Sequence, residues 1–288
     1  MFTSISKILS EYSKSDIKSE SGQKKLLGLT VKASIVVQII TGVITFGAVF
    51  FKLAPKDMIL HDIVLMETIV QFIELAFYIF ISYYLVKISV TGVTPLRYFD
   101  WVFTTPTMLL STIMFFDYKN KQAKSNKGHS KESMATINSE SKDKENKENK
   151  ENKENKENKE NESLGVMRFV DFVKDNWTII LQIFAYNFLM LMFGYFGEIG
   201  KLNLYTANAL GFIFFGLTFY TMWYNYVKRS TVAINHQLFY FMFVVWALYG
   251  VAALMSPISK NIGYNFLDII AKNFYGLFIF YQMYLTRV

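Results

Sequence analysis

The stretch that decides the fold runs Asn265-Phe-Leu-Asp268-Ile-Ile-Ala-Lys272-Asn-Phe-Tyr-Gly-Leu277. It lies within an apolar run, residues 262–284, that is long enough to cross a lipid bilayer as a helix. The run nevertheless holds a lysine near its middle, with an aspartate four residues earlier. Because helix positions four apart share a face, Asp268 and Lys272 lie one turn apart on the same side.

The amine of Lys272 is too deep in this run to reach water. It lies about ten residues, or about 15 Å at the helical rise, from either end. A charge at the bilayer centre costs at least ~2.5–3.5 kcal/mol. Two interpretations remain. Lys272 and Asp268 form a buried ion pair that ties helices together, or Lys272 forms a Schiff base with an aldehyde and the carboxylate is its counterion.

The composition is typical of a polytopic membrane protein. The chain has 288 residues, 52% of them hydrophobic and 17% aromatic, and its mean hydropathy is positive even with a very polar insert included. The absence of cysteine excludes disulfides and thiolate metal sites, and the three histidines are too scattered to form a metal cluster. The net charge of +7 fits an anionic membrane surface and gives no reason to propose nucleic acid as a partner.

Seven apolar segments predict an all-α membrane protein, a bundle of seven transmembrane helices. Residues 1–28 form an N-terminal tail, either a short interfacial helix or disordered chain. Residues 29–116 hold helices one to three, with a turn at 91–95, and residues 164–288 hold helices four to seven. The spans are expected at about residues 31–51, 63–86, 96–116, 177–196, 205–227, 238–255 and 262–284.

Residues 117–163 differ sharply from the rest of the chain. They contain almost no apolar side chains and repeat Lys-Glu-Asn six times from Lys144 to Asn161. With no face to bury, this segment is expected to be a disordered low-complexity loop. Seven spans put the termini on opposite sides. The positive-inside tendency, applied to this loop and to Lys228 and Arg229, predicts an extracellular N-terminus and a cytoplasmic C-terminus.

The third span carries polar residues along one face. It contains the stretch Arg97-Tyr-Phe-Asp-Trp-Val-Phe-Thr-Thr-Pro106, in which Arg97, Asp100 and Thr104, followed by Ser111, recur at helical spacing. Because such a face is unstable against lipid, it is expected to point into the bundle and meet the aspartate and lysine of the seventh span. Two aspartates, one arginine and one lysine then sum to zero charge, as a protonated Schiff base with a split counterion requires.

The second span carries an acidic stripe. Glu67, Gln71, Glu74 and Tyr78 are spaced by four, three and four residues, which places them on one helix face. Carboxylates inside a membrane are expensive, and such stripes commonly line ion pathways. The alternative is that Glu67 lies near the cytoplasmic interface and is simply hydrated.

The third-span stretch, together with Leu-Asp-Ile-Ile-Ala-Lys in the seventh, resembles the third and seventh helices of microbial (type 1) rhodopsins such as bacteriorhodopsin. The resemblance extends by order and spacing to all seven spans. It implies that Lys272 binds all-trans retinal as a protonated Schiff base. It also implies that Asp100 is the primary counterion and proton acceptor and Asp268 the second counterion, with Arg97 as an extracellular-side gate and Thr104 as the hydroxyl partner of Asp100.

The same resemblance implies a retinal pocket. Its members, besides Thr104, fall on Trp101, Thr105, Trp246 and Tyr249. The family's second tryptophan in the sixth helix falls on Ala253 and its proline on Gly250, so we expect a looser pocket wall. For any single aromatic in a chain with 28 Phe and 18 Tyr, packing in the core is the alternative role.

The family's proton pumps have a proton donor in the third helix, which falls here on Ser111, a residue that cannot donate a proton at a useful pKa. One carboxylate of their release pair falls on Lys260. An Asp–Thr–Ser signature with an acidic second helix resembles the rhodopsins of algal giant viruses, some described as light-gated cation channels. The resemblance therefore implies a channel with Glu67 and Glu74 in a cytoplasmic-side constriction, in the host cell membrane if the chain is viral.

Two other functions stay open at this point. Glu74 could serve as a substitute donor in a light-driven outward proton pump, or the polar insert could contact a partner of a sensory photoreceptor. No appended catalytic domain is present, so we do not expect an enzyme. The expected partners are the lipid bilayer and cations or protons, and a homo-oligomer stays open.

Overall fold

The computed structural model describes residues 19–139 and 168–288, and side chains in 19–125 and 168–288. Within these ranges the chain forms one bundle of seven helices in sequence order. They are α1 (Glu20–Gly47), α2 (Ile59–Tyr84), α3 (Val90–Ser139), α4 (Phe169–Glu198), α5 (Leu204–Met222), α6 (Ala233–Ala253) and α7, which comprises Pro257–Asp268, Ile269–Phe274 and Tyr275–Tyr284.

Six helical segments of the described chain, those of α1 to α6, are long and apolar enough to cross a membrane. The seventh helix contains a π-helical turn, but its helical residues run without interruption from Pro257 to Tyr284. At about 1.5 Å per residue its length exceeds the ~30 Å hydrocarbon core. The predicted seven-helix membrane bundle is therefore confirmed.

The bundle is apolar on its outer surface and buries several charged groups in its interior. Large apolar side chains such as Val43 and Phe103 are 69% and 63% exposed on the outer surface, whereas Arg97 and Glu74 are 1% and 0% exposed. This distribution suits a protein whose surrounding solvent is lipid, because lipid accepts apolar side chains and charged groups need partners inside the bundle.

Two predicted helix starts are wrong. Helix α1 begins at Glu20, where the Ser19 hydroxyl caps it by accepting a bond from the Gly22 amide at 3.0 Å, so residues 20–28 are helical and not part of a tail. Helix α3 begins at Val90, where the Ser89 hydroxyl accepts from the Gly92 amide at 3.2 Å. The segment 91–95, predicted as a turn from its glycine and proline, is therefore the first part of α3.

The end of the third span is also later than predicted. Helix α3 continues to Ser139, so residues 117–139 are helical, although the expectation was a disordered loop. Two contacts support the first turn beyond Phe116: Lys121 pairs with Asp117 at 2.9 Å, and the Tyr118 hydroxyl donates to Asp57 at 2.7 Å. Residues 1–18 and 140–167, which include all six Lys-Glu-Asn repeats, lie outside the described residues.

The π-helical turn Ile269–Phe274 determines how α7 presents its polar side chains. A π-turn contains more residues than an α-turn and shifts the helix face that follows it. Here Ala271, Lys272 and Asn273 are all buried although they are consecutive. The Lys272 side chain contacts α3, and the Asn273 side chain bonds to α1 and α2. The π-turn therefore directs two consecutive polar side chains into different parts of the interior.

Candidate functional site

A buried amine lies where α3 and α7 meet. The Nζ atom of Lys272 is 2.5 Å from Oδ2 of Asp100 and 3.5 Å from Oδ1 of Asp268. All three side chains are at most 3% exposed. The structure thus brings together the lysine and the two aspartates that the sequence pattern selected.

The two aspartates have different surroundings. Asp268 is saturated, because Oδ1 accepts from the Tyr249 hydroxyl at 2.8 Å and Oδ2 accepts from the Tyr78 hydroxyl at 2.7 Å and from Arg97 at 3.3 Å. Asp100 uses Oδ2 for Lys272, and its Oδ1 has no hydrogen-bond partner among the described residues. The Asp268 carboxylate is therefore fixed by hydrogen bonds on both oxygens, whereas Asp100 keeps one oxygen free to accept a hydrogen bond.

Arg97 is fixed by a polar row on α7. Its guanidinium donates from Nε to Oδ1 of Asn261 at 3.1 Å and from Nη2 to Oδ1 of Asn265 at 2.5 Å, besides its contact with Asp268. Asn261, Asn265 and Asp268 are spaced by four and three residues, so helical periodicity extended from the aspartate would have found both amides. The four charges of the centre sum to zero, which offsets much of the cost of burying them.

Thr104 does not contact the Asp100 carboxylate. Its hydroxyl donates to the backbone carbonyl of Asp100 at 3.0 Å, and the Thr105 hydroxyl donates in the same way to the carbonyl of Trp101 at 2.7 Å. Both are bonds to the residue four positions earlier, a common choice for threonine inside a helix. The Thr104 hydroxyl is thus bonded to Asp100 through the backbone carbonyl and not through the carboxylate.

A cavity opens beside Lys272 and extends across the bundle to α4 and α5. Its walls include four of the five predicted pocket residues, namely Trp101, Thr105, Trp246 and Tyr249, whereas Thr104 does not line it. Trp101 makes edge contacts with Tyr249 and Tyr264, at ring-centre distances of 5.5 and 5.1 Å. Mainly apolar walls with one amine at the end suit a long apolar aldehyde such as retinal.

The looser wall expected at Gly250 and Ala253 is partly filled from α5. A Cβ atom at Gly250 would lie 2.5 Å from the Phe212 ring, so Phe212 occupies the space that a larger residue would need. Both Gly250 and Ala253 line the cavity, as does Phe212. The missing proline and tryptophan are thus accompanied by a phenylalanine from a neighbouring helix, which periodicity within α6 could not indicate.

A second polar region lies between α1, α2 and α7. Asn273 donates to Oε2 of Glu74 at 3.1 Å and accepts from the Thr41 hydroxyl at 2.6 Å. Nearby, the Thr45 hydroxyl donates to Oε1 of Gln71 at 3.3 Å. These bonds form two polar layers that connect the three helices.

Glu67 continues this region towards the end of the bundle at which α7 ends. It is 1% exposed and accepts a hydrogen bond from the Ser111 hydroxyl of α3. The alternative of a hydrated interfacial carboxylate is therefore wrong for Glu67 in this structure. Ser111, the position of the pumps' donor, instead contacts a carboxylate that α2 supplies.

Many polar atoms of α1 and α2 lack protein partners. Within the described ranges, the unpartnered buried atoms of these helices are Oγ of Ser34, Nε2 and Oε1 of Gln38, Oε2 of Glu67, Nε2 of Gln71 and Oε1 of Glu74. Ser34 and Gln38 were missed from the sequence because neither is charged and both lie in an otherwise ordinary apolar span. We call α1 residues Ser34, Gln38, Thr41 and Thr45, α2 residues Glu67, Gln71 and Glu74, and Asn273 the polar stripe.

A further ion pair lies at the opposite end of the bundle, near the start of α7. Lys260 contacts Glu198, the last residue of α4, at 2.7 Å, and both side chains are at most 8% exposed. The position of a pump release carboxylate is therefore occupied by a lysine with a buried anionic partner. The sequence indicated Lys260 but not Glu198.

The family model of bacteriorhodopsin-like proteins matches residues 30–138 and 163–285. The chain belongs to the microbial rhodopsins. As a member, it is a light-driven multi-pass membrane protein of a family that binds retinal, and the resemblance found in the sequence is confirmed.

Solved structures agree with this assignment. The viral rhodopsin OLPVRII is 26% identical, with 91% of this chain and 100% of that one covered and a TM-score of 0.65. Xanthorhodopsin, described as a light-driven ion pump with dual chromophore, is 16% identical with 92% and 95% covered and a TM-score of 0.61. The light-driven proton pump of Coccomyxa subellipsoidea is 13% identical, with 89% and 96% covered and a TM-score of 0.56, and these last two show the fold alone. No curated protein sequence matches this chain.

Proposed function

We propose that this rhodopsin is a light-gated cation channel whose chromophore is all-trans retinal, bound to Lys272 as a protonated Schiff base. We call Lys272, Asp100, Asp268 and Arg97 the lysine centre. The observation that carries the proposal is the polar stripe, which lies beside this centre and contains six buried atoms that lack protein partners. The lysine centre is the light-sensitive part, and the stripe is the ion path.

Lys272 is suited to hold the chromophore because it lines the cavity, and its Nζ atom stands in for the imine nitrogen. Retinal, when bound, supplies visible absorption and a light-driven isomerisation that changes the proton affinity at that nitrogen. Asp100 and Asp268 provide the negative charge that a buried cation requires. Arg97 balances the second carboxylate, so the centre stays neutral.

Asp100 is the better proton acceptor of the two aspartates. Its Oδ1 has no protein partner, and its Oδ2 already lies at hydrogen-bond distance from Lys272. Asp268 accepts from Tyr78, Tyr249 and Arg97, and a proton there would have to displace a donor. Asp100 would therefore accept the proton that leaves the nitrogen of Lys272, and Asp268 would stay a fixed counterion.

The stripe has the extent and chemistry of a cation path. From Ser34 to Thr45 it covers about 16 Å along α1, about half the ~30 Å bilayer core. A buried polar group without a partner costs about 1–3 kcal/mol of folding stability. Six such atoms would strongly destabilise an interface whose role was only structural. Water that bonds to these atoms removes the cost and gives a cation a hydrated route past two carboxylates.

Asn273 connects the two parts of the molecule. It follows Lys272 directly in the π-turn and holds Glu74 and Thr41 together. A movement of the Lys272 backbone therefore displaces the amide that closes one polar layer. In this mechanism, the layer opens when Asn273 releases Glu74, and the Gln71–Thr45 layer and Glu67 form the remaining constriction.

The orientation follows the distribution of basic residues. An extracellular N-terminus puts Lys228, Arg229 and the lysine-rich insert in the cytoplasm, with Arg97 on the extracellular side of Lys272 and Glu67 on the cytoplasmic side. The similarity to a viral rhodopsin suggests the membrane of an infected host cell as the site of action.

One contact favours an outward proton pump as the second candidate. The Ser111 hydroxyl donates to Glu67, which puts a carboxyl group beside the position where pumps of this family carry their donor. From there Glu67 would supply a proton to the nitrogen of Lys272 from the cytoplasmic side. Glu74, the substitute donor expected from the sequence, is paired with Asn273.

Photocurrents recorded under voltage clamp separate the two functions. A channel current changes sign when the membrane potential crosses the reversal potential, and that potential shifts when external sodium and protons are varied. A pump current stays outward over the physiological range of potentials. A purely outward current would overturn the channel proposal and support Glu67 as a proton donor.

A further inference from the structure

The chromophore cavity is not apolar throughout. Glu198 and Asn208 both line it on the side formed by α4 and α5, across the bundle from Lys272. The residues that precede them are in contact, because the end of α4 packs tightly on the first turns of α5: a Cβ atom at Gly197 would lie 2.7 Å from the Ala207 methyl group. A purely hydrocarbon ring end gives no reason for two polar side chains at this place.

Both side chains retain hydrogen-bonding capacity. Glu198 uses Oε1 for Lys260 at 2.7 Å, and no residue in the described ranges is bonded to its Oε2. The Asn208 amide likewise has no hydrogen bond within the described part of the chain, although it can both donate and accept. Glu198 contacts the Lys260 amine as a carboxylate, and a carboxylate only accepts hydrogen bonds.

We propose that this end of the cavity recognises a retinal whose ring carries a hydroxyl group. The inference rests on the proposed function, since it concerns the chromophore of Lys272. A hydroxyl donates to the free oxygen of Glu198 and accepts from the Asn208 amide, so it satisfies both groups. A ring ketone only accepts; it satisfies Asn208 but turns a second lone pair towards the carboxylate. The preferred order is therefore hydroxyretinal, then retinal and ketoretinal.

Competition for the unloaded protein tests this order. The protein, expressed without retinoid, receives an equimolar mixture of all-trans retinal and all-trans 3-hydroxyretinal, and the bound retinoid is extracted and quantified by chromatography. We expect about tenfold more of the hydroxylated form, the value of one net hydrogen bond. A second mixture with 4-ketoretinal should show no enrichment of the ketone.

Two variants make the test specific. Asn208→Leu removes the amide, which has no protein partner to disturb, and is expected to reduce the enrichment several-fold; Asn208→Ala serves as a second variant of smaller volume. Asn225→Leu makes the same chemical change at an exposed position outside the cavity and should leave the enrichment unchanged. Equal uptake in the wild type, or enrichment that survives both Asn208 variants, would overturn the inference while the visible band preserves the chromophore assignment. If neither retinal produces a visible band, the proposed function and this inference fail together.

Discussion

The lysine centre and the polar stripe are both buried, but their polar groups are satisfied in different ways. In the lysine centre, Arg97, Asp268 and Lys272 use protein partners at 2.5–3.5 Å, and a single oxygen, Oδ1 of Asp100, is left without one. In the stripe, six atoms of α1 and α2 have no protein partner within the described ranges.

This difference separates a preorganised charge site from a route for water and ions. Charged groups that are hydrogen-bonded to protein side chains are held in place, as a fixed chromophore environment requires. Buried polar groups without protein partners need water as a partner, and that water hydrates a cation as it passes. The two regions meet at the π-turn, where Lys272 belongs to one and Asn273 to the other.

The largest expected effect removes the lysine centre. Lys272→Ala leaves no amine in the cavity, so purified protein mixed with retinal should show no visible band at all. Lys201→Ala, which changes an exposed lysine, should keep the full band. A coloured Lys272→Ala protein would remove the chromophore assignment.

The next largest effect should fall on the stripe. Glu74→Gln keeps the shape of the side chain but removes the charge that attracts cations, and we expect photocurrent to fall several-fold with little change in the visible spectrum. Asp62→Asn makes the same chemical change on α2 outside the stripe and should leave the current near that of the wild type. A spectral shift without a change in current would assign Glu74 to the lysine centre.

The two aspartates should separate into a colour effect and a stability effect. Asp100→Asn removes the carboxylate nearest the imine nitrogen, which weakens ground-state stabilisation of the cation and red-shifts the band. Asp268→Asn leaves Arg97 without its carboxylate, and loss of one partner of a buried pair costs about 3–5 kcal/mol. Thermal bleaching should therefore occur at a markedly lower temperature in Asp268→Asn than in Asp100→Asn; the reverse order would contradict the different roles.

The smallest expected effect concerns Thr104. Because its hydroxyl donates to the backbone carbonyl of Asp100, Thr104→Val should shift the band by much less than Asp100→Asn does. Thr105→Val is the comparison variant, because the Thr105 hydroxyl also donates to a backbone carbonyl, that of Trp101. Unlike Thr104, it also accepts a hydrogen bond, from Asn187 at 2.8 Å. A shift as large as that of Asp100→Asn would show that the Thr104 hydroxyl contacts the carboxylate in the pigment.

Helical periodicity sufficed to predict the bundle and most of the lysine centre. Lys272, Asp268, Arg97 and Asp100 are charged residues in apolar spans, and their cost in a membrane marks them as partners of one another. Spacing then indicates which face each occupies. The same reasoning missed helix starts, because Ser19 and Ser89 act as caps before segments that look like a tail and a turn.

The remaining contacts depend on packing between helices, which one helix's pattern does not contain. The π-turn at Ile269–Phe274 contains no proline or glycine, and the charge of Lys272 does not indicate a π-turn, so the direction of Asn273 could not be derived. The same holds for two contacts between helices: Phe212 of α5 lies beside Gly250 of α6, and Glu198 of α4 pairs with Lys260 of α7. Ser34 and Gln38 are uncharged, and only the structure shows that their polar atoms are buried without partners.

The most direct test asks whether ions pass along the stripe. The chain has no cysteine, so Ser34→Cys introduces a single thiol on the stripe and Val36→Cys introduces one on the exposed face of the same helix. Each protein is treated under illumination with a cationic thiosulfonate, labelling is verified by mass, and the photocurrent is recorded. The account predicts that labelling abolishes the Ser34→Cys current, that a reducing agent restores it, and that the Val36→Cys current is unchanged. A fully labelled Ser34→Cys protein that conducts as before would contradict the account.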